Sequence, residues 1–105
     1  MKEQIFIFCT VPDAGTASTI GKTIVEKKLA ACVSWGSAVH SVYRWDGRIE
    51  EADELNLTIK TVREKYKDVE ELILSLHPYE LPEIVSVPVL DGLEPYLEWI
   101  RQGTC

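Results

Sequence analysis

The chain has 105 residues, of which 46% are hydrophobic and 27% are charged, and its formal net charge at pH 7 is −6. These values are typical of a single globular domain over residues 1–105 and exclude an intrinsically disordered chain. The acidic balance argues against a nucleic-acid partner or an anionic membrane surface, because both need clustered Lys and Arg.

Cysteine usage and the lengths of the apolar runs bear on location. The three cysteines have no paired spacing and do not form a disulfide framework. No apolar run approaches the roughly 18–20 residues that cross a bilayer. The N-terminal stretch MKEQIFIFC turns polar at Thr10, too early for a signal-peptide core. We therefore expect a cytoplasmic protein without a membrane span.

The first elements in chain order are a strand and a helix. Residues 4–11 (QIFIFCTV) carry apolar side chains on both faces, which is typical of a central strand. Asp13 is the expected N-cap of a helix that runs up to Lys28 and Ala30, with apolar residues at helical spacing.

A long hairpin follows. Residues 31–45 are β-rich, and Gly36 within them indicates a bulge. Asp46-Gly47 is a strong signal for a type I′ turn. In the return strand, residues 48–62, strict alternation predicts one buried and one wet face, and the acidic run 50–54 reads as solvated.

The last third predicts a helix, an edge strand and a short helix. Thr61 and Glu64 fit a capping box for a helix that ends at His77, just before a proline. Pro88 places the strand over residues 83–90 at a sheet edge, because proline cannot donate to the ladder. A final short helix then ends near Gly103, a possible C-cap.

This order, βαββαβ plus a terminal helix, predicts an α+β ferredoxin-like sandwich. Its hairpin strands are about 15 residues long, against a usual 5 to 6, so the hairpin overhangs the sheet. Apolar side chains on the overhang need a partner to cover them, which predicts a homo-oligomer. The side chains concerned are Val39, Val42, Tyr43 and Trp45.

Several enzyme and binding classes that use this fold are disfavoured. Acylphosphatases need an arginine after the first strand, and residues 10–15 contain none. RNA-recognition motifs need aromatic and basic residues on the central strands, and residues 55–58 (LNLT) offer no stacking ring. A Ser-His-Asp hydrolase has no nucleophile motif near His40 or His77. We expect no catalytic residues and no organic cofactor.

Metal binding is the remaining chemistry. Thiolate and imidazole together favour copper(I) or zinc, although no C-x-x-C or H-x-x-x-H spacing occurs. The competing interpretation makes Cys9 and Cys32 core residues, Cys105 incidental and His40 a surface or interface residue. The candidate donors are Cys9, Cys32, Cys105, His40, His77, Glu80 and Glu83.

Five ordered motifs closely resemble the CutA family, the divalent-cation tolerance proteins, over nearly the whole chain. They are residues 9–13 (CTVPD), 28–33 (KLAACV), 43–50 (YRWDGRIE), 59–61 (IKT) and 77–84 (HPYELPEI).

The resemblance implies a homotrimer of ferredoxin-like subunits, a role in tolerance of copper or other divalent cations, and no known enzymatic reaction. The family's copper ligands correspond here to Cys9, His77 and Glu83. Some members carry a second histidine before the His-Pro-Tyr segment, where this chain has Leu76.

Two alternatives remain open. The trimer resembles the nitrogen-regulatory PII signalling proteins, which predicts a small anionic or nucleotide effector bound between subunits through Lys60 or Arg44. The other alternative is a rigid trimeric scaffold that presents a surface to other proteins.

Overall fold

The computed structural model of the chain describes residues 3–105, apart from the side chain of Ser37. Met1 and Lys2, the start of the predicted domain over residues 1–105, lie outside this range. The elements are β1 (Gln4–Val11), α1 (Ala14–Glu26), β2 (Cys32–Trp45), β3 (Arg48–Val62), a 3₁₀ turn (Arg63–Lys65), α2 (Tyr66–Leu76), β4 (Val85–Pro88) and α3 (Glu94–Gln102).

The four strands form one antiparallel sheet in the order β2-β3-β1-β4. The predicted ferredoxin-like α+β fold is therefore confirmed, with β1 central and β4 at an edge. Pro88 lies opposite Ile5 at the end of β4, where its missing N–H leaves no gap in the middle of the ladder. β4 is shorter than the predicted 83–90, since residues 83–84 and 89–90 lie outside the strand.

The core lies between the sheet and helices α1 and α2. Alternate residues of β1 point into it, and β3 contributes Leu57 and Ile59 from the neighbouring positions. Ile20 and Ile24 of α1 and Ile73 of α2 close the other side and are fully buried. Burying one such side chain stabilises the fold by about 1.5–3 kcal/mol.

The boundaries of α1 follow local rules only in part. The Asp13 carboxylate accepts a hydrogen bond from the Thr16 N–H at 2.7 Å, which confirms the predicted N-cap. The helix ends at Glu26, earlier than predicted, because Lys28 adopts a left-handed φ of 59° and the Leu29 N–H donates back to the Ile24 carbonyl at 3.0 Å.

The predicted capping box of the second helix is wrong. Thr61 lies in β3 opposite Ile5, is fully buried, and donates its hydroxyl to the Leu29 carbonyl at 2.6 Å. With that side chain engaged in the core, α2 begins only at Tyr66 and, as predicted, its C-cap is His77. Gly103 caps α3 as predicted, but with an ordinary φ of −67°.

The hairpin β2-β3 has the predicted turn and bulge. Asp46 and Gly47 both have positive φ, 52° and 79°, as a type I′ turn requires. The register shifts between Trp35 and Ala38, on either side of Gly36. The strands are 14 and 15 residues long and contribute to a molecule that measures 45 × 26 × 23 Å.

The overhanging part of the hairpin exposes apolar side chains, as predicted. Val42 is 62% exposed and Ile49 59% exposed, and Tyr43 and Trp45 are also exposed. Val39 is half-buried. β2 also forms one edge of the sheet, so its backbone offers a ladder to another chain.

Candidate functional site

The segment HPYELPE, residues 77–83, leaves the end of α2 and folds back beside β1. The His77 N–H donates to the Ile73 carbonyl at 2.8 Å, which closes the helix. The His77 ring then turns toward the end of β1, where Nε2–H donates to the Thr10 carbonyl at 2.7 Å. Nδ1 accepts from the Tyr79 N–H at 3.1 Å, so the proton is assigned to Nε2 and both ring nitrogens are engaged.

Tyr79 carries the next contact of this segment. Its hydroxyl donates to Oε2 of Glu54 at 2.9 Å, across 25 residues of sequence. Burial raises the pKa of Tyr79 to about 12, and its hydrogen bond to Glu54 contributes to the rise.

Glu54 corrects the prediction that residues 50–54 are solvated. Only 6% of Glu54 is exposed, although it lies in the acidic run. Strand alternation places Glu54 on the polar side, and it is Tyr79 from the distant loop that covers it.

Cys9 lies on the core side of β1, fully buried. Its S–H donates to the Thr10 carbonyl at 3.6 Å. Burial is the main cause that raises the pKa of the thiol to about 12, and the negative charges of Glu83 and Glu54 contribute to the rise. At neutral pH Cys9 is therefore a protonated thiol.

The three predicted metal ligands lie around the same end of β1. His77 contacts the residue after Cys9, and Glu83 is close enough to act electrostatically on the thiol. Within residues 3–105, no three His, Cys, Asp or Glu side chains are grouped so that they could hold a metal ion. The thiol is protonated and both His77 nitrogens are engaged, so one subunit does not present the three as a ready-made ligand set. The copper site stays a prediction.

A cleft of about 580 Å³ opens between the HPYELPE segment and the β2-β3 hairpin. Thr10 and Ser41 contribute to its lining, and Arg44 brings a positive charge. The rest of the lining consists of three glutamates, three aromatic residues and two aliphatic ones, namely Glu54, Glu80, Glu83, Tyr43, Trp45, Tyr79, Pro78 and Leu81.

Lys60, the second cation considered for an effector site, is not among the residues that line this cleft. Its ammonium group donates to the Tyr96 hydroxyl at 3.0 Å and lies over the rings of Phe6 and Tyr96. Lys60 and Arg44 therefore do not act on one ligand within a subunit. The acidic lining also has the wrong sign for an anionic effector.

His40 lies outside the cleft lining, on the exposed hairpin. Its Nδ1 lies 2.8 Å from an Asp53 oxygen and its Nε2 lies 2.6 Å from a Glu51 oxygen. These two hydrogen-bonded carboxylates raise the pKa of His40, Asp53 more than Glu51. The side chain is exposed, as the surface interpretation predicted.

The sequence interpretation missed Glu54 and Tyr79. Tyr79 stands in a proline-bounded segment next to a candidate histidine, which was the available signal. Nothing in the acidic run distinguishes Glu54 from its neighbours. Among the helices in residues 3–105, none has both the length and the apolar character needed to cross a membrane.

The fold and the cleft define a ferredoxin-like α+β protein with an acidic, aromatic cleft beside an overhanging hairpin. A family model described as "CutA1 divalent ion tolerance protein" matches residues 5–103. The chain therefore belongs to the CutA1 divalent ion tolerance family, and the resemblance found in the motifs is confirmed.

Individual relatives agree over most of the chain. The divalent-cation tolerance protein CutA of Thermus thermophilus is 42% identical over 104 residues, which are 99% of each chain. The solved structure of the Thermus protein matches with a TM-score of 0.94 at 40% identity, over 97% of this chain and 99% of that one.

Two further relatives come from distant organisms. Human protein CutA is 41% identical over 97 residues, and this match spans 92% of the present chain but 54% of the human protein. A structure described as the periplasmic divalent cation tolerance protein CutA of Archaeoglobus fulgidus matches with a TM-score of 0.93 at 37% identity, over 96% and 98% of the two chains.

Proposed function

We propose that this chain is a homotrimeric, non-enzymatic protein of divalent-cation tolerance that binds copper or a related cation. The observation that carries the proposal is the convergence of carboxylates on one end of β1, where Glu54 and Glu83 line the same cleft as Thr10, the residue after Cys9. Such a potential attracts cations and raises their local concentration.

Cys9, His77 and Glu83 are the proposed metal residues, and their donor chemistry sets a condition. Thiolate is the ligand form of cysteine, so binding at Cys9 must release its proton and will be weaker at low pH. His77 must likewise free one of its two ring nitrogens. The proposal therefore expects modest affinity unless a neighbouring subunit adds donors.

An anaerobic copper(I) competition titration against a colorimetric chelator tests the metal role. Wild type is expected to capture about one copper per subunit, with release of the thiol proton, and Cys9→Ala is expected to lose it. Cys105→Ala is the matched control, because Cys105 is an exposed thiol at the chain terminus. If Cys9→Ala retains the copper and Cys105→Ala loses it, the proposed site is wrong.

The trimer is supported by the hairpin. An open β2 edge and the exposed Val42 and Ile49 together form a surface that strand pairing with another copy would cover. Light scattering is expected to give three times the subunit mass of 11.9 kDa.

A charge placed on the hairpin tests where the subunits meet. Val42→Glu is expected to reduce the mass, whereas Leu74→Glu, at an exposed apolar position of α2, is expected to leave it unchanged. A monomeric wild type would refute the trimer. Equal effects of the two variants would refute the assignment of the hairpin to the interface.

A cytoplasmic location is part of the proposal and is supported by the three unpaired cysteines, which are typical of a reducing compartment. Cell fractionation with marker proteins is the test, and recovery with periplasmic markers would contradict it.

A further inference from the structure

The cleft beside the HPYELPE segment is too wide for a bare metal ion. A divalent cation needs several donor atoms within roughly 2.0–2.6 Å of one point. The cleft measures about 580 Å³, which falls in the range of roughly 300–1,000 Å³ typical of organic ligands. Its size therefore points to a molecule instead of an ion.

The charged residues of the lining indicate the charge of the molecule that the cleft binds. Three carboxylates line the cleft against the single guanidinium of Arg44. Glu54 is the deepest of them, and in residues 3–105 its one hydrogen bond comes from Tyr79 to Oε2. A carboxylate has about four acceptor sites, so Glu54 keeps acceptor capacity for an N–H donor that enters the cleft.

The walls add a second preference, independent of the carboxylates. Tyr43 and Trp45 on the hairpin and Tyr79 on the opposite segment line the same space. Because Tyr43 and Trp45 also belong to the overhang, the cleft lies at the border of the surface that the proposed trimer covers. Aromatic faces attract ammonium groups and also pack against methylene chains. A metal ion held by carboxylates would gain little from such walls.

We propose that this cleft binds a protonated aliphatic amine, whose ammonium N–H groups donate to Glu54 and whose carbon chain lies against Tyr43 and Trp45. Glu80 and Glu83 at the cleft wall accept a second ammonium group, so a diamine binds more tightly than a monoamine. This site shares Glu83 with the proposed metal site but does not depend on Cys9 or His77, so it stands if the copper proposal fails.

Isothermal titration of the whole protein with 1,4-diaminobutane tests the inference, in buffer with a metal chelator and constant ionic strength. Saturable binding is expected, with about tenfold or greater weakening in Glu54→Gln, since a charge-assisted hydrogen bond is lost. Tryptophan fluorescence is expected to change on binding through Trp45, one of the three tryptophans in the chain. Glu71→Gln, an exposed glutamate on α2, is the matched control and is expected to bind like wild type.

Further arms separate the possible outcomes. If Glu54→Gln does not fold, Glu83→Gln replaces it, because Glu83 is exposed and its loss is tolerated by the core. Tetramethylammonium lacks N–H donors and is expected to bind more weakly than the diamine. Absence of saturable heat, equal weakening in Glu71→Gln, or equal binding of tetramethylammonium would each overturn the proposal. Cys9→Ala is expected to keep amine binding. Loss of amine binding in this variant would mean that the cleft is part of the proposed metal site and not a separate amine site.

Discussion

His77 is expected to stabilise the fold without any metal, because its ring joins β1 to the segment that follows α2. In His77→Ala the Thr10 carbonyl loses a 2.7 Å donor and the Tyr79 N–H loses a 3.1 Å acceptor. Leaving one buried polar group without a partner costs about 1–3 kcal/mol. Two such groups would set a loss of about 2–6 kcal/mol in the free energy of unfolding. The expected value lies toward the lower end, because the Thr10 carbonyl keeps the weak Cys9 S–H donor and water can enter the vacated space.

The assay is guanidinium denaturation at one fixed protein concentration, in buffer with a strong chelator, since any assembly makes stability concentration-dependent. His77→Gln places an amide N–H near the position of Nε2, and His77→Asn places an amide oxygen near that of Nδ1. Each is expected to recover part of the loss. Glu80→Ala, an exposed position in the same segment, is the control.

One result would refute this reasoning. If His77→Ala unfolds at the same denaturant concentration as wild type under metal-free conditions, the two hydrogen bonds contribute nothing measurable. Retained stability together with lost copper binding would identify His77 as a metal ligand and not as a structural bridge.

Three other predictions concern single residues. Burial raises the pKa of the Cys9 thiol from its ordinary value of 9.0 to about 12. The stability that this thiol contributes is therefore complete below pH 9 and is lost as the pH rises toward 12. In Cys9→Ala the melting temperature is expected to fall less steeply with pH in this range than in wild type. The two carboxylates beside His40 raise its pKa above 6.5, so the stability that protonated His40 contributes is complete below that pH and is lost at higher pH. The difference in melting temperature between wild type and His40→Gln is expected to be larger at pH 5.5 than at pH 9. In Gly103→Ala the new Cβ would lie 2.6 Å from the Ala31 Cβ and 2.8 Å from its Cα, which is expected to destabilise the fold by about 1–3 kcal/mol. Gly36→Ala is the control, because its new Cβ meets nothing within 4 Å. Similar denaturation midpoints for the two variants would contradict this prediction.

Features governed by neighbouring residues were predictable from the sequence. Asp13 caps α1 because its carboxylate reaches an N–H three residues on. Asp46 and Gly47 form the turn because short-range backbone preferences decide it. Pro88 marks an edge because it lacks a donor, and β4 is that edge.

Features governed by distant contacts were not predictable. The sequence around Thr61 fits a capping box, yet the Thr61 hydroxyl donates to the Leu29 carbonyl, 32 residues away in the chain. Glu54 belongs to a run of similar acidic residues, and only Tyr79, far along the chain, makes it different. The candidate site shows the same limit, since the resemblance located His77 but did not indicate that both its nitrogens are occupied.

Because the edge of β2 is open, each chain must finish folding before its edge strand meets another chain. In the proposed trimer, a folded chain that has not yet met another copy presents 14 residues of unpaired strand edge, with which correct and incorrect strands can both pair. The net charge of −6 repels other copies and slows every encounter, which gives each chain time to fold before it docks. Salt shortens that interval by screening the repulsion, so the yield of correct assembly during refolding becomes a balance between ionic strength and chain concentration.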